Sequence, residues 1–204
     1  MDAVETKVCR EPWEIEPRLV ELGLTREGLL HARDVAVHDS SNATPFHAAN
    51  AAGTYSYHSG TWALRNRFVG RDWSIDRSDG VEAITNDKLK VKVAFSNVDL
   101  ACDNAHIPQP RTKKGAGAER AMGGGLFGGD LPQFAPREDG EWQFFYLMVD
   151  TNGAAELTRP VVKGGTFVAA IERIYLSFGS EEDGDKLRDT PDAPIEFEPQ
   201  VARK

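Results

Sequence analysis

Cysteine is nearly absent from this chain. Two residues, Cys9 and Cys102, stand far apart among 204, with no Cys-x-x-Cys pair. That spacing argues against a disulfide framework and against a finger-type structural zinc site. A chain of this length can bury a core without either. Long apolar runs are missing as well: no stretch approaches the roughly 18 consecutive apolar residues of a membrane span. The first residues, MDAVETKVCREPWEIE, are charged from the second position onward. The expectation is a cytoplasmic protein with no membrane partner. Positive charge is also short, with 24 Lys and Arg against 32 Asp and Glu and a net charge of −8. A general nucleic-acid coat would carry the opposite balance or a broad basic stripe. Residues 181–204 hold eight acids and four bases, so half of the excess sits there. The rest is a mildly acidic body.

The first half of that body reads as helical. Residues 16–22 suggest a short helix, with Pro17 near its first position and Gly23 just past its end. Thr25 is placed to N-cap a second helix, in which Leu29, Leu30, Arg33, Ala36 and Val37 recur at helical spacing. Such a pair can begin a helix-turn-helix but is more often a packing unit. Residues 54–58 (TYSYH) read as a short strand, and residues 62–69 as either a strand or a helical turn. The second half alternates more clearly. KLKVKVAF at 88–95, WQFFYLMV at 142–149, the stretch 155–162 and the stretch 167–178 all read as strands. Asn152-Gly153 marks a hairpin turn between the second and third of these. Pro160 suggests an edge strand or a bulge. The expected fold is α+β: an N-terminal helical part followed by an antiparallel sheet of at least four strands, forming one domain over residues 1–180. Residues 181–204, acidic and poor in apolar anchors, are expected to form a flexible tail.

Between two of the strand segments lies a long glycine-rich loop, residues 103–134, with seven glycines and four basic residues. Arg111, Lys113, Lys114 and Arg120 surround Gly115 and Gly117, a composition suited to phosphate oxygens or to a partner's carboxylates. It is no P-loop, because no Lys-Ser or Lys-Thr follows the second glycine, and the dinucleotide fingerprint is absent too. A second candidate surface interleaves aromatic and basic residues: Tyr55, Tyr57, Trp62, Arg65 and Arg67. That mixture can stack on bases and hold phosphates, although the same residues would serve as core with a charged rim.

Metal chemistry has two candidate sites. His31, Asp34 and His38, spaced by three and four residues, would share one face of the second helix, and Asp39, His47 and His58 follow soon after. Asp99, Asp103 and Asp150 stand near strand ends, where paired carboxylates can bind a divalent cation and where turn-forming Asp is also common. Cys102 and His106 put a thiol near an imidazole, as a nucleophile pair requires, although a cysteine just after a strand is more often buried and inert.

Three stretches carry a resemblance: ARDVAVHDSSNATPFHAANAAGTYSYHSGTWALRNRFVG, HIPQPRTKKGAGAERA and FYLMVDTNGAAELTRPVVKGGTFVAAIERIYLS. Together they resemble uncharacterised proteins carried on integrative conjugative elements and plasmids of proteobacteria. The resemblance implies a cytosolic bacterial setting and brings no activity, cofactor or catalytic residue. The leading expectation is a non-catalytic binding protein without cofactor, engaging nucleic acid or an acidic protein partner through the basic loop. The alternative is a small metal-dependent enzyme acting on a phosphate ester, with His31, Asp34 and His38 or the strand-end aspartates as ligands of a divalent metal.

Overall fold

After Gln143, the stretch FFYLMV is apolar or aromatic at every position and buried throughout, the pattern of a strand buried on both faces. This strand lies at the centre of a seven-stranded sheet in a computed structural model that describes residues 6–116, 118 and 142–179. In chain order the elements are β1 (Lys7–Cys9), α1 (Pro12–Glu21), α2 (Arg26–Ser40), α3 (Ala51–Phe68), β2 (Ser74–Asp76), β3 (Ala83–Asn86), β4 (Val91–Asn97), β5 (Gln143–Val149), β6 (Ala155–Lys163) and β7 (Thr166–Ser177). The strand order is β1-β7-β6-β5-β4-β3-β2.

The α+β class with helices at the N-terminal end holds, but the sheet is mixed. Two of its pairings are parallel, β1 with β7 and β4 with β5. A parallel pair needs a crossover between its strands, and residues 98–142 make that connection between β4 and β5. Ahead of the helices the chain contributes β1, docking Lys7–Cys9 beside Glu172–Ile174. The strand expected at 54–58 is the middle of α3, an 18-residue helix that also absorbs residues 62–68. Pro12 starts α1, so Pro17 lies inside that helix rather than at its beginning. Pro160 interrupts the β6–β7 register, as its missing N–H requires, yet β6 is an internal strand and not an edge. The acidic stretch 181–204 and residues 119–141 lie outside the described residues.

All three helices cover one face. Leu19, Leu22, Leu29, Ala32, Ala63 and Leu64 meet Val93, Phe95, Phe145, Leu147, Leu157 and Ile174 there. Small residues set how closely the helices approach. A Cβ on Gly60 would stand 2.5 Å from the Phe95 ring, and one on Gly28 2.6 Å from Phe68. The opposite face buries Phe144, Tyr146, Met148, Phe167 and Tyr175 beneath residues 98–118, which contribute Val98, Ala101, Cys102 and Ala118. A buried ion pair pins that cover. Arg173 donates to both Glu156 oxygens at 2.9 and 2.7 Å and to the carbonyls of Asp103 and His106, while Glu156 accepts from the Cys102 N–H.

Candidate functional site: a cleft at a break in the sheet edge

The first residue of β3 pairs with Ala94 of β4, so residues 95–97 run on past the end of that neighbour. The returning chain fills part of the gap. Val98 bridges Pro110, the Asp99 N–H donates to the Gln109 carbonyl, and the Arg111 N–H donates to the Asn97 carbonyl at 3.1 Å. What stays open is a cavity of about 550 Å³ between the N-terminal half of α3, residues 80–82 and residues 111–115. Because the sheet is interrupted here, the cavity is lined both by Tyr57 from the helical side and by Tyr146 and Lys114 from the other.

Asn97, the last residue of β4, fixes both walls. Its side chain donates to the Gly53 carbonyl at 2.8 Å and accepts from the Ser56 hydroxyl at 2.7 Å, tying α3 to the strand. Its carbonyl holds Arg111 on the opposite wall. The α3 N-terminus opens on the cavity through Asn50, Ala52, Gly53 and Thr54. Asn50 makes no side-chain cap and the first turn carries no acid, so the positive end of the helix dipole is left uncompensated there.

The basic residues of the loop take two different roles. Arg111 and Lys113 are exposed at the cavity mouth and have no carboxylate partner among the described residues. Lys114 turns inward. Its amine donates to the Ser96 hydroxyl at 2.8 Å and stands 4.7 Å from the Tyr146 ring centre and 5.7 Å from that of Phe167. Burial, with no carboxylate beside it among the described residues, pushes its pKa down to about 8. Its backbone is fixed as well: the Lys114 N–H donates to the Gly165 carbonyl at 2.8 Å. Gly165 has φ +77°, and a Cβ there would stand 2.9 Å from the Lys114 carbonyl oxygen. Burial also raises the phenols of Tyr57 and Tyr146, with Glu82 adding to the effect at Tyr57.

Of the residues singled out in the sequence, Arg111, Lys113, Lys114, Gly115 and Tyr57 converge on this cavity. Gly117 and Arg120 lie outside the described residues. The rest of the arginine–aromatic group does not join them. Arg65 is paired with Glu82, whose carboxyl it holds below the usual range, and Arg67 is paired with Glu27 at 2.9 Å. Tyr55 packs edge-on against His47, and Trp62 is exposed on the outer side of α3. That surface is a charged rim over a core. Ser96, Asn97, Glu82 and Tyr146 belong to the site and were not among the sequence candidates.

The proposed metal ligands are dispersed. His31 and His38 are exposed, and Asp34 pairs with Arg33 at 2.5 Å. Among the described residues no group of three or more His, Cys, Asp or Glu is placed to hold a metal ion. The strand-end aspartates act as turn formers. Asp99 accepts from the Leu100 and Gln109 N–H groups, Asp103 from Ala105, and Asp150 from Ala101, Asn152 and Ala154. His106 bonds Asp99 rather than Cys102. The Cys102 thiol is buried against the Ala155 and Ser177 carbonyls, and burial drives its pKa up to about 12, the reverse of an activated nucleophile.

No helix among the described residues is long and apolar enough to cross a membrane. No protein-family model, curated protein or solved structure matches this chain.

Proposed function

We propose that this chain is a binding protein whose sheet-edge cleft takes a phosphate-bearing ligand, either a nucleotide or a phosphate of a nucleic-acid strand. The observation that carries the reading is the meeting of Arg111, Lys113 and the uncapped, acid-free start of α3 at the mouth of one cavity. Guanidinium, ammonium and helix N–H groups are the usual partners of phosphate oxygens. A volume of about 550 Å³ falls within the range of small-molecule sites, roughly 300–1,000 Å³. It accommodates a mononucleotide or the terminal unit of a strand and excludes a duplex. In a chain with net charge −8, two cations at one mouth, without a carboxylate partner among the described residues, also draw an anion to this cavity. The setting we propose is the one implied by the resemblance, a cytosolic protein of a bacterial mobile element.

The test is titration calorimetry with adenosine monophosphate and with a 5′-phosphorylated oligothymidine, on the native chain and on an Arg111→Glu/Lys113→Glu variant. Each lost charge-assisted contact is worth about 1.5–3 kcal/mol, so binding should weaken at least about tenfold. Stability should stay within about 0.5 kcal/mol, since both side chains are exposed. A steeper salt dependence for the oligonucleotide would mark the strand as the preferred form. Equal affinity of the variant and the native chain, or no binding of either probe, would refute the proposal.

A further inference from the structure

Lys114 differs from the other described cations of the basic loop. It sits on the inner wall of the cleft, its amine held by the Ser96 hydroxyl at 2.8 Å and laid over two aromatic rings. Among the described residues no carboxylate pairs with it. Lysine is seldom placed in such surroundings, because its charged form loses hydration and gains no counter-ion. A lysine used only for packing would carry its amine out to solvent; this one brings it to the wall of an open cavity with two cations at the mouth.

We propose that Lys114 is an imine-forming amine, and that the ligand of the cleft is an aldehyde or ketone bearing a phosphate, with the phosphate at Arg111 and Lys113 and the carbonyl carbon at Lys114 Nζ. The inference rests on the phosphate-binding reading above and narrows its ligand to a phosphate compound with a free carbonyl, so that an intact nucleotide tests the phosphate site alone. The neutral amine attacks the carbonyl carbon through its lone pair, forming a C–N bond and a carbinolamine after the oxygen takes up the proton lost from nitrogen. Expulsion of that hydroxyl together with the second proton of the nitrogen leaves a C=N bond, so one water is released and no electrons leave the pair of reactants. The depressed pKa of about 8 keeps a usable fraction of the amine neutral near pH 7.5. Among the described residues, the other titratable or charged groups facing the cavity are Tyr57, His58, Glu82, Arg111, Lys113 and Tyr146. Glu82 is occupied by Arg65 and Arg77. Two sources supply a carbonyl beside a phosphate: a free sugar phosphate, or the open-chain sugar at an abasic position of a nucleic-acid strand.

Both are tested by reductive trapping. The native protein is incubated at pH 7.5 with sodium cyanoborohydride and either glyceraldehyde 3-phosphate or a single-stranded oligonucleotide carrying one abasic site. Hydride from the borohydride converts the imine to a stable secondary amine, which intact mass and peptide mapping then locate. The expected result is one adduct, at Lys114, that is absent in both Lys114→Met and Lys114→Arg. The probe that reacts faster identifies the source. Mapping on the native chain needs neither variant to fold. Labelling of Lys88 or Lys113 at the same rate as Lys114 would overturn the inference. So would the absence of an adduct while adenosine monophosphate still binds, and in that case the phosphate-binding reading would stand. Absence of both adduct and nucleotide binding would overturn both proposals.

Discussion

Replacing Lys114 with Met should make the protein more stable, and the gain should disappear in alkali. A fall of the Lys114 pKa from its ordinary 10.5 to about 8 corresponds to about 3 kcal/mol against folding while the amine is charged. The folded pKa lies below the unfolded one, so between pH 8 and 10.5 the unfolded state binds the extra proton. This group's contribution to stability therefore rises with pH through that window, and below it the full cost persists. Methionine removes the cost but also the hydrogen bond to Ser96, worth about 1 kcal/mol. The variant should be about 2 kcal/mol more stable at pH 7 and about equal to the native chain by about pH 10. Paired urea titrations from pH 6.5 to 10, followed by tryptophan fluorescence, give the difference directly. The comparison must be between the two proteins, because other buried groups titrate in the opposite sense. Burial raises the Cys102 thiol and the Tyr175 phenol to about 12, so their contributions fall as pH passes their ordinary values of 9.0 and 10.0. These effects cancel between native chain and variant. A difference that is flat with pH, or a variant less stable at pH 7, would refute the view that Lys114 is a desolvated, uncompensated cation.

Three further perturbations address the frame around the cleft. Glu156→Gln leaves the Arg173 guanidinium buried beside a neutral amide and should cost about 3–5 kcal/mol by chemical denaturation; a loss under 1 kcal/mol would mean that the pair is dispensable. Gly60→Ala drives a methyl against the Phe95 ring and should cost about 1–3 kcal/mol, read as a fall in melting temperature; an unchanged melt would show that α3 can lift from the sheet freely. Neither Cys9 nor Cys102, both buried with raised thiol pKa values, should react with a thiol reagent at pH 8 except at the rate of unfolding; rapid labelling of Cys102 in the native state would contradict its placement.

The elements legible in the sequence were those whose signal is local. The alternation in residues 88–95 and 167–178 and the cap at Thr25 survive as β4, β7 and α2 with boundaries shifted by a few residues. The parallel pairings were not legible. β1 is three residues long and earns its place by pairing with a partner some 165 positions away, and no local periodicity reports such a contact. Helix α3 was misread because Tyr55 and Tyr57 look like one face of a strand, while Ser56, Gly60 and Ala63, the residues that allow it to lie against the sheet, are too small to mark a face. At the cleft, the sequence marked residues 111–115 as cationic and could not separate those cations. Only the hairpin turn at Gly165 and the end of β3 at Ala83 decide that Lys113 faces water while Lys114 faces Tyr146.

Asn97 sits where α3, β4 and the returning loop meet, and its side chain and carbonyl bind both walls of the cleft at once. A slot whose jaws share one hinge pin cannot gape or clamp without breaking that pin. A ligand of the kind proposed would therefore meet a gauge of fixed aperture, with discrimination at the first encounter rather than at a later closing step. On that reading, loosening the pin by Asn97→Ala should turn the gauge into a flexible mouth that admits larger ligands and holds each of them less long.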